Sequence, residues 1–124
     1  MKELVIKKCL KCGSIIKVIE DCTCGDCEIM CCNNPMKTLE INSTDASFEK
    51  HIPTYEKKDN KIVVNVNHVM EDEHFIKWIC LVTEEKEEYR NFEPNKKAIC
   101  EFDNVESGIL YSYCNKHGLW KNNI

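Results

Sequence analysis

Near the end of the chain, Tyr113-Cys114-Asn115-Lys116-His117-Gly118-Leu119-Trp120 sets a thiol and an imidazole three residues apart. Two such side chains can reach one metal from a single turn. Sulfur and neutral nitrogen together suit Zn, Cu or Fe, whereas Ca and Mg prefer oxygen. The pair alone says little, because a lone histidine is usually an ordinary surface or core residue. The histidine inventory strengthens it: the chain has four, His51, His68, His74 and His117, and none lies outside positions 51–117. These four and Cys114 are read as one metal site.

A second constellation lies at the other end, where residues 1–37 hold seven of the ten cysteines. Cys9-Leu10-Lys11-Cys12-Gly13 is a Cys-x-x-Cys turn whose glycine permits the tight backbone of a metal-binding knuckle. Cys31 and Cys32 complete a four-sulfur set. Adjacent cysteines splay less freely than a Cys-x-x-Cys pair, so the expected tetrahedron is somewhat distorted. Zinc and iron both accept four thiolates in this geometry. Cys22, Cys24 and Cys27 lie between the two pairs. Cys24 and Cys27 form another Cys-x-x-Cys that could compete for the metal or hold another; the plainer reading is a loop insertion with free thiols. Cys80 and Cys100 fall on expected strands and read as buried apolar thiols.

The elements that must position these groups follow from the rest of the chain. At 124 residues, with 43% hydrophobic and 31% charged side chains, it reads as a soluble globular protein of one ordinary domain, or a small metal-stapled module plus a modest domain. Met1–Lys8 has no signal-peptide apolar run, and Trp78–Val82 is too short to span a membrane. The expected location is the cytoplasm, where clustered cysteines more often mean metal than disulfide. A net charge of −4 argues against nucleic acid as a partner. Residues 1–40 balance six basic against six acidic groups, so the excess lies beyond them and opposes any anionic substrate.

Within the cysteine module, Ser14–Ile19 reads as a strand. Residues 38–48 read as a polar linker. Beyond it, strands are expected at Lys61–Asn67, Phe75–Val82, Glu88–Phe92, Lys97–Phe102 and Gly108–Tyr113, separated by turns such as Lys58-Asp59-Asn60. Phe75–Val82 is apolar on both parities, as a central strand is. The class is mainly β: a four-cysteine metal module at 1–37 and an antiparallel β-sandwich at 49–124. The four histidines and Cys114 fall at strand ends, where loops at one end of a sandwich can converge.

Several of these motifs occur together in one known family. The chain resembles superoxide reductase of the two-iron desulfoferrodoxin type over nearly its full length. The resemblance is carried by Cys9-x-x-Cys12-Gly13, Cys31-Cys32, Pro35-Met36, Ser43-Thr44-Asp45, Glu49-Lys50-His51-Ile52-Pro53, His68-x-Met70-Glu71-x-x-His74, Ile76-x-Trp78-Ile79 and Tyr113-Cys114-Asn115-x-His117-Gly118-x-Trp120. It implies a desulforedoxin-like module at 1–37 and a neelaredoxin-like, immunoglobulin-like β domain at 49–124. It also implies a mononuclear iron with His51, His68, His74 and His117 in a plane and Cys114 axial.

The implied reaction is one-electron reduction of superoxide to hydrogen peroxide, with superoxide arriving opposite Cys114. Glu49 matches the family's glutamate that can occupy that position, and Lys50 the lysine that attends the substrate. Cys9, Cys12, Cys31 and Cys32 match the family's second, rubredoxin-like iron centre. Rubredoxin as electron donor and a homodimer in the cytoplasm are further implications. Two departures stand out: Val69 follows the second histidine where the family has proline, and Cys22, Cys24 and Cys27 have no counterpart. The rival functions are a zinc-bound structural or interaction protein and an electron carrier that uses the four-cysteine site alone. The first leaves the histidine set without a purpose, and the second would show redox activity without superoxide turnover.

Overall fold

A computed structural model describes residues 2–42 and 51–124. The Ser43-Thr44-Asp45 stretch, Glu49 and Lys50 lie outside the described residues. The chain forms two compact units, residues 3–39 and residues 40–124, residue 2 belonging with the second. Among the described residues there is no helix.

The first unit contains β1 (Ile6–Lys8), β2 (Ile15–Lys17), β3 (Met30–Cys31), β4 (Asn34–Pro35) and β5 (Lys37–Thr38). β1 is the middle strand of an antiparallel sheet in the order β2-β1-β5. The expected strand at Ser14–Ile19 is shortened to β2 because its partner has only three residues, paired Ile6 with Lys17 through Lys8 with Ile15. β3 and β4 form a two-residue hairpin, Cys31 opposite Asn34. Its corner residues, Cys32 and Asn33, have φ of 52° and 62°. Two successive left-handed residues are what a tight hairpin with the native strand twist requires.

The second unit contains β6 (Thr54–Lys58), β7 (Lys61–Asn65), β8 (Ile76–Val82), β9 (Glu87–Asn91), β10 (Ile99–Asp103), β11 (Ile109–Cys114) and β12 (Gly118–Asn123). They build two antiparallel sheets, β10-β7-β6 and β12-β11-β8-β9. Both sheets contribute to one core: Ile62, Val64 and Val66 from β7 and its exit, Ile76, Ile79 and Leu81 from β8, Phe102 from β10, and Leu110 and Cys114 from β11. This is the antiparallel sandwich expected from the spacing of apolar runs, with β8 central as its double-sided apolar pattern requires.

Two strands of this unit escape the sequence reading. β6, Thr-Tyr-Glu-Lys-Lys, is an edge strand that is mostly exposed, so it has no apolar face to announce it. It pairs with β7 across Asp59 and Asn60, both at positive φ (51° and 63°). β12 begins at Gly118, φ 82°, which pairs back onto Cys114. The Cys-x-x-His segment is therefore the turn of a hairpin. At the start of this unit Ile41 bridges Leu119, and Asn42 binds β12 through its own amide and through the Oδ1 that accepts from the Lys121 amide.

Candidate metal centres

Cys114 closes β11, and a β-bulge decides where it points. Tyr113 opposes Trp78, but Cys114 opposes Ile76, so Lys77 is the extra residue. On β8 the inward residues are Ile79 and Leu81, and simple alternation would turn Lys77 inward as well. The bulge reverses the parity: Ile76 is fully buried and Lys77 exposed. Bulges re-aim side chains in this way next to functional sites. Cys114 thereby reaches the end of the core with no exposed surface.

The histidines arrive from three loops. His51, just ahead of β6, is buried, and its carbonyl accepts a 2.6 Å hydrogen bond from the Ser112 hydroxyl on β11. Its ring stacks on Trp120, 4.8 Å between centroids. His68 and His74 bracket a loop closed by mutual backbone bonds between Glu71 and His74. Asn95, φ 66°, braces the same loop by donating from its amide to the Met70 carbonyl at 2.6 Å and from Nδ2 to Asp72 at 2.7 Å. His117 sits in the hairpin turn, where the Trp120 indole donates to its carbonyl at 3.1 Å. Asn115 joins two of these loops. Its Oδ1 accepts from the Phe75 amide at 3.0 Å and its Nδ2 donates to the Glu73 carbonyl at 2.9 Å.

These loops bring five donor atoms within 4.8 Å of one another. His51 Nε2 is 3.0 Å from His117 Nδ1 and 3.2 Å from His68 Nε2, and His74 Nε2 is 3.2 Å from His117 Nδ1. The rings follow one another in a circuit, 51–68–74–117, with centroids 4.6–4.9 Å apart and planes at 70–89°. Cys114 Sγ lies 3.5 Å from His68 Nε2 and 3.8 Å from His117 Nδ1. A ring nitrogen donates or accepts, never both, yet His51 Nε2 faces two nitrogens and His117 Nδ1 faces two nitrogens and a sulfur. Hydrogen bonding alone cannot satisfy that crowding, and a central cation can. A square with these edges has corners about 2.2 Å from its centre, close to a metal–nitrogen bond.

The protonation states suit ligation. The Val69 carbonyl is an acceptor, so His68 carries its proton on Nδ1 and leaves Nε2 as a lone pair. Burial, aided by the neighbouring histidines, lowers the His68 pKa to about 4. Burial and then His117 and Lys116 lower that of His74. Both rings are neutral at pH 7, as metal ligands must be. His68, His74 and His117 are half-buried while Cys114 is not exposed at all, so among the described residues the more exposed side of the set is the histidine side.

Cys9, Cys12, Cys31 and Cys32 form a second group within 4.8 Å. Cys12 Sγ is 3.7 Å from Cys31 Sγ, which is 3.9 Å from Cys32 Sγ. A tetrahedron with metal–sulfur bonds near 2.3 Å has edges of about 3.8 Å. The knuckle is built as its sequence suggests: Gly13 has φ 80°, and the Cys12 amide donates to Cys9 Sγ at 3.4 Å. That backbone bond is the main cause lowering the Cys9 pKa to about 6, while hydrogen bonding with Cys12 raises Cys31 to about 12. Cys9 therefore ionises more easily than a free thiol, while Cys31 and Cys32 resist, each held up chiefly by hydrogen bonding with Cys12. The left-handed corner at Cys32 turns the two adjacent thiols toward one centre.

The intervening cysteines differ from the plain expectation of free thiols. Cys22 and Cys27 are joined as a disulfide, and Cys24 is free. Cys80 is fully buried, and Cys100 is half-buried with burial pushing its thiol to about 12.

Sequence reasoning passed over Asn115, Ser112, Asn95, Trp120 and Lys116 as working residues. Ser112 had a signal, a hydroxyl inside an otherwise apolar strand. Asn115 had one too, an Asx residue between two ligands in a turn.

The sequence model of the Desulfoferrodoxin family matches residues 43–123. A desulfoferrodoxin homologue of Archaeoglobus fulgidus is 34% identical over 120 residues, spanning 94% of this chain and 94% of the relative. The desulfoferrodoxin of Clostridium acetobutylicum is 43% identical over 100 residues, 78% of this chain and 80% of the relative. Among solved structures, the superoxide reductase of Treponema pallidum superposes with a TM-score of 0.74 at 25% identity, covering 98% of this chain and 99% of that one.

Proposed function

The chain belongs to the desulfoferrodoxin family, and from that premise we propose that it reduces superoxide to hydrogen peroxide at a mononuclear iron held by His51, His68, His74, His117 and Cys114. The observation that carries this reading is the convergence of four imidazole nitrogens and one thiol sulfur within 4.8 Å at the end of the sandwich. The family implies iron, and the nitrogen-and-sulfur donor set fits it. Bound there, iron supplies the electron and an electrophilic site for the superoxide anion.

The residues do the rest. Imidazole ligands bring no charge of their own, so among the five assigned ligands Cys114 is the negative one. Its burial in the core fixes the thiolate on one side and leaves the half-buried histidine side for the anion. The net charge of −4 repels superoxide at long range, so attraction must be local. Lys50, adjacent in sequence to His51, is assigned that role, and Lys116, whose charge acts on His74, adds a second cation. Glu49 is assigned as the carboxylate that closes the open position after turnover. Solvent on the same side provides the two protons, and the added electron completes the balance from superoxide to hydrogen peroxide.

Cys9, Cys12, Cys31 and Cys32 are assigned a second iron; zinc rests on donor chemistry alone. A small electron carrier such as rubredoxin is the assigned donor. Thiolate-rich ligand sets need reduced cysteines, which fits a cytoplasmic setting, and a homodimer is the assembly proposed.

The test is anaerobic turnover with a one-electron donor, following superoxide, peroxide and oxygen together. One peroxide per superoxide with no oxygen supports reduction. Oxygen evolved alongside half as much peroxide would make the protein a dismutase. Zinc alone, with no iron uptake on reconstitution, would reduce it to a binding module.

A further inference from the structure

Three cysteines stand apart from both ligand sets. Cys22, Cys24 and Cys27 lie on an exposed loop between β2 and β3, their sulfurs within 4.8 Å of one another. We propose that this loop, once its Cys22–Cys27 bond is reduced, is a third metal site that takes a soft monovalent d10 cation, Cu(I), on three thiolates.

The backbone already brings the donors together. In the bonded form Cys22 and Cys27 have Cα atoms 6.6 Å apart, a spacing at which the loop's backbone can present both sulfurs to one cation once the bond is reduced. Gly25, φ 78°, reverses the chain between Cys24 and Cys27, and no atom lies within 4 Å of the place a Cβ would occupy. The Asp21 carboxylate accepts from the Cys22 amide at 2.9 Å and pins the entry to the loop. All three cysteines are exposed, which gives a cation direct access.

Charge selects the ligand class. Residues 20–28 carry Glu20, Asp21, Asp26 and Glu28 and no Lys, Arg or His. Cysteines that attack peroxide or disulfides sit in electropositive surroundings, and this loop is the opposite. A field of that sign draws cations. Thiolate sulfur selects soft ones, and among the described residues the group offers three donors with no fourth. Structural zinc takes four ligands, whereas a three-coordinate sulfur site suits Cu(I). Reduction of the disulfide by a phosphine consumes one water, gives two thiols and leaves the phosphine oxide; the thiol protons are then released on cation binding.

The experiment uses the full chain with its iron in place, reduced anaerobically with a phosphine, desalted and thiol-counted. Cu(I) is then supplied from a coloured competing chelator, and copper and iron per chain are measured with the ultraviolet sulfur-to-copper band. Uptake of one Cu(I) with iron content and visible spectrum unchanged is the expected result. Cys24→Ser should weaken uptake about tenfold or more, and Cys22→Ser/Cys24→Ser/Cys27→Ser should remove it. Equal uptake by these variants would overturn the site. So would uptake matched by iron loss, which places copper on the Cys9 set, or no uptake by chains whose Cys22 and Cys27 count as thiols.

Discussion

His68 keeps its ring neutral because it is partly withdrawn from water, with other imidazoles beside it. In the metal-free protein this makes stability depend on acid, and the sign is fixed. The unfolded histidine takes its proton near 6.5, the folded one only near 4. The stabilisation is therefore whole above pH 6.5 and is lost as pH falls through that window, with His74 acting in the same direction. The urea midpoint of metal-free protein should hold steady above neutrality and decline across this range, and His68→Gln should flatten the decline. A midpoint indifferent to pH would mean that the imidazoles are not held neutral. Cys114 yields a second expectation: Cys114→Ser should abolish the sulfur-to-iron charge-transfer band of the oxidised protein, and its survival would put the sulfur donor elsewhere. Lys50→Ala should slow superoxide capture about tenfold at low salt, less at high salt, with that band unmoved. An unaltered capture rate would remove Lys50 from the reaction.

At the scale of elements, the site depends on connections between loops more than on any one strand. Asn115 ties the turn carrying His117 to the loop carrying His74 by two side-chain hydrogen bonds. Asn115→Ala should cost about 1–3 kcal/mol and weaken iron binding about 10–100-fold. Equilibrium unfolding and metal competition measure the two separately, and a loss of stability with unchanged iron affinity would make Asn115 merely structural. This layer is also where sequence reading ran short. The two clusters that the structure brings together, His51/His68/His74/Cys114/His117 and Cys9/Cys12/Cys31/Cys32, were legible because their residue types are chemically specific, and Gly13 announces its knuckle. β8 and β11 were legible because they are buried on both faces. β6 was not, since only Tyr55 and none of its charged neighbours is even half-buried. Lys77 was not, because a bulge is a property of register, and register is set by the partner strand. The Cys22–Cys27 pairing was hidden for a related reason: Cys24 and Cys27 have the familiar spacing, but Gly25 turns the loop so that Cys22 meets Cys27 instead.

Across the whole molecule, the two units rest on different sources of stability. Residues 40–124 share one core drawn from both sheets, with Ile62, Val64, Ile79, Leu81 and Leu110 fully buried. Among the described residues of 3–39, the buried apolar side chains are Leu4, Ile6, Cys9 and Met36, and one of these is itself a proposed ligand. A unit below about 40 residues rarely folds on so small a core without a metal or cross-link. A metal bound at the Cys9 set would then supply folding free energy to β1, β2 and the β3–β4 hairpin, and little to the sandwich. Cys12→Ser/Cys32→Ser should leave β8 and β11 as protected from hydrogen exchange as before, while the amides of β1 and β2 exchange almost freely. Superoxide turnover driven by a direct chemical reductant should persist in the same variant, because its histidine set is intact. If β1 and β2 kept their protection without the metal, the first unit would have to be stable on its own core, and its cysteines would then serve electron transfer alone.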